Sequence, residues 1–191
     1  MILVTGAAGN IGGELVAALA EAGQPVRALT RSAEPGRFPP GVELAGGDLN
    51  DPASLRPALD GADGVFLLPG YADMPGVVAE ARRAGVRAVV QLSGMSAASG
   101  DMSNAITAYM AVSEQAARES GLAWTILRPA MFMTNASQWL PQLRAGDVVR
   151  APFGPVRTAV TDPADVAAVA ARALTAPGHE KRVYEVSGRK R

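Results

Sequence analysis

Gly6, Gly9 and Gly12 stand at GxxGxxG spacing directly behind the apolar run Ile2-Leu3-Val4. Glycine suits a separate task at each position. Gly6 allows a tight turn, Gly9 allows backbone to approach a diphosphate, and Gly12 lets a helix pack close to the strand. A helix starting near Ile11 would turn its free N–H groups and positive dipole end toward the same phosphates. Ala7, Ala8, Asn10 and Ile11 fill the remaining positions, and Ala8, Asn10 and Ile11 are assigned to this candidate dinucleotide loop. The spacing alone is weak, because turns use glycine often. The strand before it and the helix after it carry the reading.

The end of the second strand selects between nicotinamide dinucleotides. A site for NAD usually places an acid there to accept from the ribose hydroxyls. This chain reads Ala28-Leu29-Thr30-Arg31-Ser32, with no acid. Arg31 can pair with a 2′-phosphate while Thr30 and Ser32 add hydroxyl donors. A charge-assisted hydrogen bond of this kind contributes about 1.5–3 kcal/mol, roughly a ten- to hundredfold preference. NADP is therefore expected ahead of NAD. Asp48 either accepts from the adenine amine or caps a turn, and Leu49 follows it. Leu68 and Pro69, at the end of the fourth strand, are assigned to the same site.

Other candidates cluster behind the later strands. Ser93 and Ser96 can hydrogen-bond a substrate carbonyl or the nicotinamide ribose, or serve the turn around Gly94. Met74, Met95, Met102, Met110, Met131 and Met133 all fall behind strands four, five and six. Polarizable methionine suits flat aromatic or quinonoid molecules, and it also fills gaps in a core. Tyr71, Phe132 and Trp139 can add walls, so Tyr71, Met95, Met131, Phe132 and Trp139 form the expected substrate side. Trp124 is expected in the core and His179 as an ordinary surface residue. The absence of cysteine excludes disulfides and thiolate catalysis, and one histidine excludes a multi-histidine metal site. A metal-free site is expected.

These residues need a frame that brings strand ends together. Short apolar runs alternate with helical patterns, the signature of βαβ units. Strands are expected at 2–5, 26–30, 42–44, 64–69, 86–92, 124–127 and 183–186. Helices are expected from Ile11 to Gly23, from Asp51-Pro52, and over 77–84, 103–120 and 135–143, with another after Asp162-Pro163. Pro57 should kink or shorten the second of these. The chain of 191 residues suits one domain with a doubly wound parallel sheet of Rossmann type. Residues 1–128 or so form its nucleotide-binding core, and about 129–191 a reduced substrate-side region. Eighteen basic residues balance eighteen acidic ones, so no nucleic-acid or membrane-surface partner is indicated. No apolar run is long enough for a membrane span, and the N-terminus lacks the zones of a signal peptide. A cytoplasmic protein is expected, and a homodimer stays open.

The stretches "ILVTGAAGNIG", "VRALTRS", "GGDLNDPASL", "VVQLSGMSA", "ESGLAWTILRPAMFM" and "VTDPADVAAVAARAL" together resemble the NmrA-like branch of atypical short-chain dehydrogenase/reductases. The resemblance implies a Rossmann-type NAD(P) domain with a small C-terminal substrate region. It also implies one of three activities: reduction of quinones or enals, biosynthetic tailoring of an aromatic intermediate (including oxygenation), or non-catalytic redox sensing. Relatives generally continue past "VYEVSG", so a small or absent substrate lid is expected. Short-chain dehydrogenases usually carry Tyr-x-x-x-Lys on the helix after strand five, where lysine lowers the tyrosine pKa. Here Tyr109 is present and Ser113 replaces the lysine. Tyr109 and Ser93 remain the candidate catalytic residues, with Tyr109 alternatively a wall. Hydride delivery to a simple ketone leaves an alkoxide that needs a strong acid. Delivery to a quinone or enone leaves a stabilised oxyanion that water can protonate. The leading expectation is an NADPH-dependent reductase of a small apolar quinone, enone or aromatic substrate.

Overall fold

Alternation along the central strands decides the layers. Leu3, Val65, Leu67 and Val89 belong to one buried cluster, while Ile2, Val4, Phe66 and Val90 belong to another on the opposite face. Successive side chains of a strand point to opposite faces, so unbroken apolar runs require cover on both. The computed structural model describes residues 1–31, 36–152 and 157–188. Its main sheet is built from β1 (Ile2–Val4), β2 (Val26–Leu29), β3 (Glu43–Ala45), β4 (Gly64–Leu67), β5 (Ala88–Leu92), β6 (Ala123–Pro129) and β9 (Arg182–Val186). The spatial order is β3-β2-β1-β4-β5-β6-β9, and every neighbouring pair is parallel.

Helices α1 (Asn10–Glu21) and α6 (Pro163–Thr175) cover one face through Leu15, Val16, Leu19, Val166, Ala167 and Ala170. Helices α2 (Arg56–Leu59), α3 (Met74–Arg83) and α4 (Ala105–Glu119) cover the other through residues such as Leu59, Val77, Ala81 and Ala117. The starts of α3, α4 and α6 are set by capping side chains that accept from free first-turn amides. Asp73 accepts from Gly76 N, Asn104 from Ile106 N and Thr107 N, and Asp162 from Ala164 N. Pro75 and Pro163 sit in first turns, where no intrahelical donor is lost. α4 ends before Gly121, whose φ of +75° reverses the chain.

The expected doubly wound parallel sheet is the architecture observed, with element ends shifted by a few residues. Pro57 does shorten the helix expected from Asp51. A 3₁₀ turn, Pro52–Leu55, precedes the four-residue α2. The helix expected over 135–143 is instead a 3₁₀ segment, Met133–Trp139, followed by α5 (Leu140–Ala145). A second small sheet was not expected: β7 (Met131–Phe132) pairs in parallel with β8 (Val160–Thr161). Ala130 N and the Thr161 hydroxyl both donate to Val186 O, which ties this sheet to the end of β9. His179 is half-buried, its Nδ1 lying 2.9 Å from the Tyr184 hydroxyl, so it is a packed residue rather than an isolated surface one. Trp124 is half-buried against the core, with the Arg118 guanidinium 5.2 Å from its ring centroid. Among the described residues no helix is long and apolar enough to cross a membrane.

Candidate functional site

β1 and β4 are neighbours in the sheet but leave in opposite directions along it, which opens a crevice at their carboxyl ends. Thr5 closes its floor: the hydroxyl donates to Phe66 O at 2.8 Å and accepts from Leu68 N at 3.1 Å. The chain then turns at Gly6, with φ of +61°, and Gly9 N donates back to Gly6 O at 2.8 Å. A Cβ on Gly12 would lie 2.1 Å from Gly6 O and 2.9 Å from Ala7 Cα, so only glycine permits this approach of α1 to the loop. Gly9 occupies the N-cap of α1 and supplies no side-chain cap. The first-turn amides of α1 have no acceptors within the helix, and their residues Asn10, Ile11 and Gly12 line the crevice, as an anion site requires.

A cleft of about 550 Å³ fills this crevice. It brings together Gly6, Ala8, Gly9, Asn10, Ile11, Gly12, Thr30, Arg31, Asp48, Leu49, Leu68, Tyr71 and Phe132 from the sequence-derived candidates. Gly47, next to Asp48, also lines it, as do Leu29 and Asn50, which were not singled out from the sequence. Arg31 is exposed at the end of β2, and Thr30 N is held by Ala45 O at 3.0 Å. Ser32 lies outside the described residues. Both sequence-level options for Asp48 have support. Its Oδ1 accepts from Asn50 N at 2.9 Å, capping a turn, and the residue also lines the cleft.

Arg37 was missed by the sequence reading. Its Nη2 donates to Ala8 O at 2.6 Å, so a second guanidinium rests on the glycine loop and borders a groove beside Gly9. A second cation six positions after Arg31, in a loop rich in proline and glycine, was the available signal. Thr134 was missed too: its hydroxyl accepts from the Asn10 amide at 3.2 Å, holding the 133–139 segment beside the start of α1.

The structure does not bring all candidates to the cleft. Pro69, Ser93, Met95, Tyr109, Met131 and Trp139 are not among its lining residues. Ser93 is a correction. It is buried, its hydroxyl donates to Glu114 Oε1 at 2.6 Å and its amide to Leu127 O at 2.7 Å. Its hydroxyl proton is committed to Glu114 and its amide to β6, so from this position it offers no donor to a substrate carbonyl. Met74 is wholly buried in the core, whereas Met95, Met102, Met131 and Met133 are exposed. The ring of Tyr109 lies against Gly70, where a Cβ would come within 3.1 Å of Tyr109 Cδ2. Ser113, at the lysine position of the Tyr-x-x-x-Lys pattern, is buried and accepts from Gly70 N at 3.0 Å.

Behind these residues sits a buried carboxylate. Glu114 accepts from Arg128, Arg118 and Ser93. Burial pushes its carboxyl pKa up, but hydrogen bonds from Arg128, Ser93 and Arg118 outweigh that and hold it below the usual range. The charge fixes α4 to the ends of β5 and β6 and does not reach the cleft.

The cleft therefore has a phosphate-accepting floor made of backbone, a cation at its β2 end and an apolar end at Leu68, Tyr71 and Phe132. The NAD(P)H-binding family profile matches residues 6–177. The chain belongs to this family. It is 47% identical over 194 residues to a (4-alkanoyl-5-oxo-2,5-dihydrofuran-3-yl)methyl phosphate reductase of Streptomyces griseus subsp. griseus, a match covering 98% of this chain and 68% of that one. It is 39% identical over 195 residues to an NAD(P)H azoreductase of Xenophilus azovorans, again covering 98% and 68%. Among solved structures it resembles the NADPH-dependent quinone oxidoreductase of Escherichia coli complexed with NADPH. That likeness has a TM-score of 0.81 and 27% identity, and covers 98% of this chain and 69% of the other. The NmrA-like resemblance and the Rossmann-type fold agree with these findings. The cleft also fits the cofactor: Gly12 packs where any side chain would strike the loop backbone, which keeps the α1 amides open to a diphosphate.

Proposed function

We propose that the protein is an NADPH-dependent reductase of a small, flat, conjugated acceptor, a quinone, an enone or an aromatic compound. The observation that carries this reading is the makeup of the cleft. It joins a dinucleotide cradle to the apolar side chains of Leu68, Tyr71 and Phe132, and among the described residues no histidine or lysine lines it and Asp48 is its one carboxylate. Gly6, Gly9, Asn10, Ile11 and Gly12 would hold the diphosphate, and Arg31 with Thr30 the 2′-phosphate. Bound NADPH supplies a hydride. The residues at the apolar end, Leu68, Tyr71 and Phe132, exclude water and give a planar acceptor a surface to lie on. An acceptor that delocalises the incoming charge needs no strong acid beside it. The names of the relatives support this substrate class. The dihydrofuranone named for the Streptomyces relative carries a ring double bond conjugated to two carbonyls, and the Escherichia relative is a quinone oxidoreductase.

The reading extends to a cytoplasmic enzyme acting on small molecules, with a homodimer as the quaternary state to be measured by light scattering. The functional test is NADPH oxidation against a panel of quinones, conjugated enones, azo compounds and simple ketones. Turnover with the conjugated acceptors and none with simple ketones is expected. Tight NADP binding with no turnover on any acceptor would replace the reductase with a redox sensor.

A further inference from the structure

The loop that carries Tyr71 to the cleft is held from outside, by α4. β4 ends at Leu67, and both Leu68 and Tyr71 line the cleft. Between them the chain turns at Gly70, with φ of +89°. Gly70 N donates to Ser113 Oγ at 3.0 Å, and the Ser113 hydroxyl donates in turn to Tyr109 O at 2.8 Å. The Ser113 side chain is wholly buried, although Gly70 and Tyr109 at the far ends of the two bonds are exposed, so its hydroxyl joins a surface loop to the interior. The Tyr109 ring occupies the space that a side chain at residue 70 would need. α4 thus grips Gly70 twice, at its amide through Ser113 and over its Cα through Tyr109. The next residue, Glu114, locks α4 to Arg128 of β6.

Loops that line ligand sites belong to the least stable parts of a fold unless something pins them. We infer that Ser113 is a positioning residue: its hydroxyl fixes Gly70 and thereby sets Tyr71 as the wall against which a planar acceptor lies. The inference rests on the reductase reading for its substrate. The helix position that offers a lysine in dehydrogenases of the Tyr-x-x-x-Lys pattern serves here to hold the substrate wall, with its hydroxyl directed at backbone. Misplacement of a substrate wall by about 1 Å is enough to cost a large factor in turnover or binding.

The test compares wild type, Ser113→Ala and Ser113→Thr with 1,4-naphthoquinone as acceptor, alongside NADPH affinity and amide exchange at Gly70. Ser113→Ala removes the acceptor for Gly70 N. Its KM for naphthoquinone should rise about fivefold or more, and exchange at Gly70 should quicken by about tenfold. NADPH affinity should stay within about twofold, because the cradle is untouched. Ser113→Thr, which keeps the hydroxyl, should restore KM and exchange together. A merely structural serine would lower thermal stability and leave KM alone, and that result overturns the inference. Unchanged exchange at Gly70 in Ser113→Ala overturns it as well. If wild type turns over no quinone, the reductase reading fails, and exchange at Gly70 with its rescue by threonine still decides whether the latch exists.

Discussion

Arg128 of β6 meets Glu114 of α4 through two parallel hydrogen bonds, Nε to Oε1 and Nη2 to Oε2, each 2.8 Å long. The pair lies inside the molecule: the side chains are 17% and 3% exposed. Arg118 and Ser93 complete the carboxylate's partners. A bidentate pair with its remaining lone pairs satisfied offsets the cost of burying charge, and it fixes orientation as well as distance. Here it fixes the helix that carries Tyr109 and Ser113 against the ends of β5 and β6.

Removing one member of such a pair strands the other. Glu114→Ala should destabilise folding by about 3–5 kcal/mol, read as a fall in the urea midpoint at neutral pH. The same site gives a pH signature. The carboxyl pKa is lower in the folded chain than the unfolded value of about 4.3, so its contribution is complete above that pH and disappears as pH falls through the folded value. Wild type should therefore lose stability more steeply than Glu114→Gln below about pH 4. Parallel curves for the two proteins would show that the buried carboxylate is not the titrating group.

The glycine loop was legible in the sequence because it is a local device. A positive φ at Gly6 and a backbone approach at Gly12 each demand a residue type at a fixed spacing. The strands were legible for the same reason, since Val65-Phe66-Leu67 can be buried on both faces only in a covered sheet. What escaped depended on distant pairing. β7 and β8 have two residues each, too few for a period to register, and they meet across 29 positions. Ser93 carried the right residue type behind the right strand, and only the fold shows that Glu114 consumes its hydroxyl. The methionines gave a positional signal that the fold divides: Met74 entered the core, while Met131 stayed exposed beside the cleft-lining Phe132. Ser113 read as a missing lysine, and its bond to Gly70 was invisible because the two lie 43 positions apart.

Arg31 should decide the choice of cofactor. It is the exposed cation at the end of β2 that lines the cleft, and that strand end offers no acid to ribose hydroxyls. Arg31→Asp should weaken NADPH binding by about tenfold or more while sparing NADH, measured by fluorescence titration. Equal loss of both cofactors would move the 2′-phosphate contact elsewhere, with Arg37 beside Ala8 the next residue to replace.

Gly12→Ala tests the cradle itself. The new Cβ would press on the backbone of Gly6 and Ala7, which cannot swing aside as a flexible side chain can. Overpacking of this kind costs about 1–3 kcal/mol or more. The substitution should lower thermal stability and abolish measurable binding of NADPH and NADH alike. Retained binding of either would mean that α1 does not need its close approach to hold the dinucleotide.

Tyr109→Phe separates chemistry from packing. The Tyr109 ring packs on Gly70 and does not line the cleft, and the lysine that would activate its phenol is replaced by the buried Ser113. Phenylalanine keeps the ring and removes only the hydroxyl. Turnover of a quinone should therefore stay within about threefold of wild type, since no proton transfer in the transition state is lost. Tyr109→Ala removes the ring that confines Gly70 and should raise KM for the quinone, in the same direction as Ser113→Ala. A loss of about a hundredfold or more in kcat for Tyr109→Phe, at unchanged KM, would instead make the phenol the proton donor. That outcome would require the acceptor to sit farther toward α4 than the proposed wall of Tyr71 and Phe132.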